Sequence, residues 1–242
     1  MTTAQLASIW HDLECGGYAA DLPLWRALAR EAGGAVLDIG AGTGRVALDL
    51  ARAGYDVTAL DSDESLLAAL RARADGLGVR TIAADAREFA IDARYALCVV
   101  PMQTVQLLGG AAGRAAFLRC TRRHLASGGL LAVAIAAELE PFEVGPGEPG
   151  PLPDLVQRDG VVYSSRPTAV RAQPGGHLLE RRREVVSLDG QLTVLRDAVW
   201  LDRLDAATLD RELVGSGLRA AGRTEIDPTD EYVGSTVVMA RA

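Results

Sequence analysis

No lysine occurs in the 242 residues; all 25 basic residues are arginine. That single absence removes several chemistries. A P-loop needs its lysine on the phosphates, a protein kinase its strand lysine, and a pyridoxal phosphate enzyme its Schiff-base lysine. Cysteine is scarce too. Cys15, Cys98 and Cys120 are odd in number and widely spaced, without a C-x-x-C, and His11, His124 and His177 are as scattered. Neither a metal site nor a disulfide framework is expected, and a reducing cytoplasm is. The longest apolar run, residues 130–137, is too short to span a membrane. The N-terminal MTTAQLASIWHDLE lacks a basic segment followed by an apolar one, so no signal peptide is expected. A net charge of −7 disfavours nucleic acid as a partner. Aromatics make up only 5%, yet 49% hydrophobic and 24% charged residues describe an ordinary globular chain with one large domain, with or without an insertion. The Ala/Arg/Gly-rich, lysine-free composition points to a GC-rich bacterial genome.

Between residues 35 and 137 short apolar strands alternate with helical segments. Strands are expected at 35–39, 56–60, 79–84, 95–100 and 130–137, and helices at 45–53, from Ser62 as cap to about 74, and at 114–125. This order indicates βαβ units and a parallel sheet. Helices at 4–14 and 22–31 precede the first strand. The pattern breaks at 141–153, where five prolines and three glycines mark a linker or mobile loop. Three segments of strand character follow, 161–171, 178–188 and 192–204, with Asp189-Gly190 as a hairpin turn. An antiparallel meander is expected there. Within 158–203 eight arginines oppose six acids, for +2, a mild hint of a substrate with negative character. A helix at 205–217 and strands at 218–226 and 232–241 close the chain.

The strongest local signal is Asp38-Ile39-Gly40-Ala41-Gly42-Thr43-Gly44-Arg45, after a strand and before a helix. Glycines let backbone approach a ligand closely, and a helix N-terminus offers free N–H groups to a carboxylate or phosphate. Asp61, 21 residues after Gly40, ends the second strand, where a carboxylate accepts hydrogen bonds from both ribose hydroxyls and repels a 2′-phosphate. An NAD-dependent oxidoreductase is one reading of such a pair. The third glycine, however, comes one place early for G-x-G-x-x-G, and Arg45 holds the sixth position.

These residues resemble motif I of the class I S-adenosylmethionine (SAM)-dependent methyltransferases, in their bacterial small-molecule form. The resemblance implies a Rossmann-like α/β sheet, mostly parallel with an antiparallel last strand, carrying an antiparallel β insertion. It places the SAM-binding domain in 1–138 and 204–242 and the insertion in 139–203, as a substrate lid or a homodimer contact. It implies that Asp38, Gly40, Ala41, Gly42 and Gly44 hold the methionyl end of SAM. Asp61 and Ser62 would hold the ribose, Asp85 the adenine amino group, and the Ala86 N–H a ring nitrogen. Val100, Pro101, Met102 and Gln103 would pass near the sulfonium, and Tyr18 would close over the methionyl group. A SAM-binding protein of the same fold that methylates nothing is the alternative within this reading.

Val99-Val100-Pro101-Met102-Gln103 lacks the Asn/Asp-Pro-Pro-aromatic motif of nucleic-acid amino methylation, so a small-molecule acceptor, methylated on oxygen or nitrogen, is expected. Gln103 and Gln106 are three apart and share a helix face. Gln106, Glu138, Tyr163 and Arg166 are the candidate substrate contacts. Glu138, Tyr163 and His177 are equivalent candidates for a base, and no catalytic residue follows from the sequence. Trp10, Trp25 and Tyr18 suit packing roles, and His124 a helix surface or end.

Overall fold

The computed structural model describes residues 3–136 and 139–242. Glu138 lies outside the described residues. Strands β1 (Val36–Ile39), β2 (Val57–Asp61), β3 (Arg80–Ala83), β4 (Tyr95–Val100) and β5 (Leu125–Ala136) run parallel, and β12 (Ser235–Arg241) lies antiparallel between β5 and β11 (Arg219–Ile226). The order is β11-β12-β5-β4-β1-β2-β3, the expected mixed sheet.

Both faces of this sheet are covered, which is why its strands read as unbroken apolar runs. Alternation along β1 sends Val36 toward α2 (Leu22–Ala32), α3 (Arg45–Arg52) and α4 (Glu64–Arg73), where Trp25, Leu50 and Leu70 pack. Leu37 and Ile39 point the other way, toward Phe117 of α5 (Gly110–His124) and Leu209 of α6 (Ala206–Gly215). The chain leaves β1 to one side for β2 and β3, and returns on the other for β4 and β5. That reversal opens a crevice at the carboxyl ends of β1 and β4, where open α/β sheets bind ligands.

A second, five-stranded sheet is built on β8 (Val161–Gln173), β9 (Gly176–Val186) and β10 (Leu192–Asp202), the expected meander. Pro167 sits at a register shift in β8, where a strand tolerates a missing N–H. β6 (Phe142–Glu143) and β7 (Asp154–Arg158) also pair with β8. The Pro/Gly stretch is thus partly paired: Phe142 and Glu143 join the ladder, and Val144 N–H donates to Thr168 O at 2.9 Å.

Other local expectations shift. The first helix, α1 (Thr3–His11), gives way to a π-helical turn at Asp12–Gly16. Asp63, not Ser62, caps α4, accepting from Ser65 N–H at 2.8 Å, and Ser62 is exposed. His124 is buried rather than superficial. Its Nε2 accepts the Ile91 N–H at 3.1 Å, and its ring stacks on Phe89. Among the described residues no helix is long and apolar enough to cross a membrane.

Candidate cofactor and acceptor site

Asp38 is a carboxylate placed in a four-residue strand whose every residue is buried. No side chain hydrogen-bonds either of its oxygens; only the Ala47 backbone N–H, in the first turn of α3, comes near enough to favour the anion. Burial pushes its pKa up to about 7, against the pull of the Arg45 guanidinium. Immediately downstream the chain turns through Gly40, Gly42 and Gly44, all at positive φ, into α3. At Gly42 a Cβ would come within 2.2 Å of the His11 ring, and at Gly40 within 2.4 Å of the Thr104 side chain, so close packing and backbone conformation both demand glycine.

Asp61, at the tip of β2, faces this loop. Its Oδ2 accepts the Gly42 N–H at 2.8 Å and its Oδ1 the Asp63 N–H at 2.9 Å, leaving lone pairs on both oxygens for a ligand. Asp85 follows β3 by two residues and is held by Arg87, whose Nε and Nη2 reach its carboxylate at 2.5–3.0 Å. Those bonds keep the Asp85 carboxyl below its ordinary value. Ala86, partly buried, lies between the two.

Beyond β4, Pro101 is buried and Met102 adopts a left-handed φ of 54°, unusual for a non-glycine residue and common where a site constrains the chain. Met102, Gln103, Tyr18, Tyr232, Val233 and Ser235 line a small pocket. The Tyr18 and Tyr232 rings meet at 5.0 Å, and the Arg45 guanidinium lies 5.1 Å from the Tyr18 ring centre. Arg45 is itself clamped by Asp21 at 2.5 and 2.7 Å, and Asp21 also accepts from Trp25 Nε1 at 2.8 Å. Burial, with Asp21 nearby, raises the Tyr18 hydroxyl pKa.

The candidates for substrate contact fall elsewhere. Gln106 is buried with both ends of its amide in use: Nε2 donates to Asp202 O at 3.0 Å and Oε1 accepts Ala136 N–H at 2.8 Å. It ties β5 to β10 and has little left to offer a ligand. Tyr163 is buried against Trp10, edge-to-face at 5.7 Å, where the insertion packs on the first helix. Strand alternation puts Arg166 on the opposite sheet face from Tyr163 and Ser165. His177 opens β9, opposite Ala172 and Leu201.

The sequence reading missed His11, Asp12, Thr43, Asp21 and Tyr232. Thr43 Oγ1 donates to Asp12 at 2.7 Å, and His11 Nδ1 lies 3.2 Å from the same hydroxyl. These partners are 31 and 32 residues apart in the chain, and no local pattern announces them.

Residues 36–129 match the family model described as a methyltransferase domain. The fold matches solved structures along nearly the whole chain. CalS10, an amino pentose methyltransferase of Micromonospora echinaspora solved with SAM bound, aligns at a TM-score of 0.72 and 21% identity, covering 100% of this chain and 98% of that one. A SAM-dependent methyltransferase of Clostridium acetobutylicum aligns at 0.73 and 13%, covering 98% and 97%. The sugar N-methyltransferase KedS8 of a Streptoalloteichus species aligns at 0.72 and 19%, covering 100% and 94%. No curated protein sequence matches the chain. The chain therefore shares its fold with these solved methyltransferases. The match at 36–129 takes in the glycine loop and Asp61, the residues on which the resemblance to that family rests.

Proposed function

We propose that this chain transfers the methyl group of SAM to a small molecule, and that the acceptor atom is an amine nitrogen of a sugar-like metabolite. The observation that carries the cofactor reading is Asp38. A buried carboxylate with no side-chain hydrogen bond, whose desolvation outweighs the pull of Arg45 and the Ala47 N–H, is costly. It makes sense opposite a cation, and the α-ammonium of SAM is one. Asp38 and the backbone of Gly40, Ala41, Gly42 and Gly44 would hold the methionyl end. Asp61, with Ser62 beside it, would hold the ribose, and Asp85 and Ala86 the adenine edge. When bound, SAM supplies an electrophilic methyl on a sulfonium that is its own leaving group.

The chain's own contribution is then positioning and exclusion of water, which can supply on the order of 7–11 kcal/mol. Val100, Pro101, Met102 and Gln103 would form the floor beside the reacting centre, with Tyr18 and Tyr232 as its walls. The loop between β11 and β12 carries Asp227, Asp230 and Glu231 and contributes Tyr232 and Val233 to that wall. Its negative charge draws a protonated amine toward the pocket, and the amine gives up that proton to solvent before its lone pair attacks the methyl carbon. Two of the structural relatives are named for amino-sugar or sugar-nitrogen methylation, which supports the same acceptor. An NAD-dependent oxidoreductase and a SAM binder without transferase activity are the disfavoured readings. The insertion sheet, 139–203, is read as the lid over the acceptor side, and the protein as bacterial and cytoplasmic.

The test is transfer of isotope-labelled methyl from SAM to a panel of amino sugars and their hydroxyl counterparts. Label on the amines alone is expected. Label on the hydroxyl series would move the acceptor to oxygen, and no label with intact SAM binding would favour the non-methylating alternative.

A further inference from the structure

Four arginines converge on two acids of the π-helical turn. Asp12 accepts from Arg73 Nη1 and Nη2 at 2.8 and 2.5 Å and from Arg158 Nη2 at 3.0 Å, in addition to Thr43 Oγ1. Glu14 accepts from Arg183 at 2.7 and 2.8 Å and from Ser165 at 2.7 Å, with Arg181 at 3.4 Å. Arg73 belongs to α4, and Arg158, Arg181 and Arg183 to the insertion sheet. The glycine loop and the insertion thus meet at one carboxylate, Asp12.

Hydrogen-bond bookkeeping extends the chain by one link. Asp12 stays ionised, because the bonds from Arg73, Thr43 and Arg158 overcome the effect of its burial. An ionised carboxylate only accepts, so the single Thr43 hydroxyl proton goes to Asp12. Thr43 Oγ1 can then only accept from His11, which places the imidazole proton on Nδ1. His11 Nε2 is left as a bare acceptor against Gly42.

We propose that Asp12 is a positioning residue of the cofactor loop, acting through Thr43 and His11, and that its ion pair with Arg158 couples the insertion sheet to cofactor binding. The inference rests on the reading of loop 38–44 as the SAM site. By linkage the coupling is reciprocal: a ligand that tightens the loop tightens the insertion, and the reverse.

The test is calorimetric binding of S-adenosylhomocysteine to the wild type, Asp12→Asn, Arg158→Gln and the double variant. Arg158 ends at Asp12 rather than at the loop, so a purely local role predicts no effect of its replacement. The expected losses are about tenfold or more for Asp12→Asn, and about threefold to tenfold for Arg158→Gln. The double variant should bind no more weakly than Asp12→Asn alone. Unchanged affinity in Arg158→Gln, or losses that multiply in the double variant, would overturn the coupling. Amide exchange at residues 42–45 of the ligand-free proteins is a second measure: Arg158→Gln should quicken it, and an unchanged rate counts against the proposal. If the wild type binds no S-adenosylhomocysteine while exchange quickens, the SAM reading fails and the coupling stands.

Discussion

Replacing Asp38 with asparagine separates the stability of this protein from its proposed chemistry. In the ligand-free fold the carboxyl has a pKa of about 7 against an ordinary 3.8, because burial penalises the anion. Between these values the unfolded chain is ionised and the folded chain holds the proton. The unfolded state binds fewer protons there, so stability falls as pH rises from about 4 to about 7 and then levels. The penalty at pH 8 is about 4 kcal/mol, and at pH 5 about 2 kcal/mol. Asparagine has the shape of the neutral acid and never ionises. Asp38→Asn should therefore be more stable than the wild type, with the gap in Tm widening by roughly 5–10 °C between pH 5 and pH 8. The same change should weaken S-adenosylhomocysteine binding about tenfold to a hundredfold, through loss of a charged partner for the ammonium. Thermal melts across that pH range and calorimetry at pH 8 measure the two effects. A pH-independent gap, or a variant less stable than wild type at pH 8, refutes the account of Asp38 as a buried carboxylate whose desolvation outweighs its partners. Unchanged affinity refutes its place at the ligand.

Asp61→Ala should cost about 3 kcal/mol of S-adenosylhomocysteine affinity, two charge-assisted bonds, while circular dichroism shows the fold retained; full affinity would remove Asp61 from the ribose. Gln106→Leu should lower stability by about 2–4 kcal/mol in denaturant unfolding, since Asp202 O and Ala136 N–H both lose a buried partner, and cofactor affinity should not follow. If the insertion is a lid, amide exchange in residues 145–153 should be faster than in the central sheet and slow on ligand binding. No slowing would point to a fixed contact instead.

What the sequence discloses depends on how far apart the cooperating residues lie. Strand, glycine turn and helix at 36–52 are contiguous, so apolar alternation and glycine spacing reveal them together. Asp61 is legible because a strand ends in an acid at the right distance. Asp12 is not: its partners at 43, 73 and 158 come from three elements that only the tertiary fold brings together. Gln106 reads as a polar side chain offered to a ligand beside Gln103, and its burial follows from β10 crossing beside it. β7, with the sequence DLVQR, is too polar and too short to announce itself, and becomes a strand because β8 offers it an open edge. Ser62 and Asp63 are both good caps; the backbone chooses Asp63, whose carboxylate reaches the Ser65 N–H.

The position of β12 also bears on how the molecule comes into being. It is a central strand of the large sheet, hydrogen-bonded to β5 on one side and β11 on the other, yet it is the last of the described strands to be synthesised. Until residues 235–241 leave the ribosome, β5 presents an open, wholly apolar edge along 130–136, and β11 has nothing to pair with. The glycine loop and its acids can be assembled early, but the sheet that supports them stays unsealed until residues 235–241 have been made. A chaperone that binds exposed strands would find its target there, on the nascent chain and not on the finished protein.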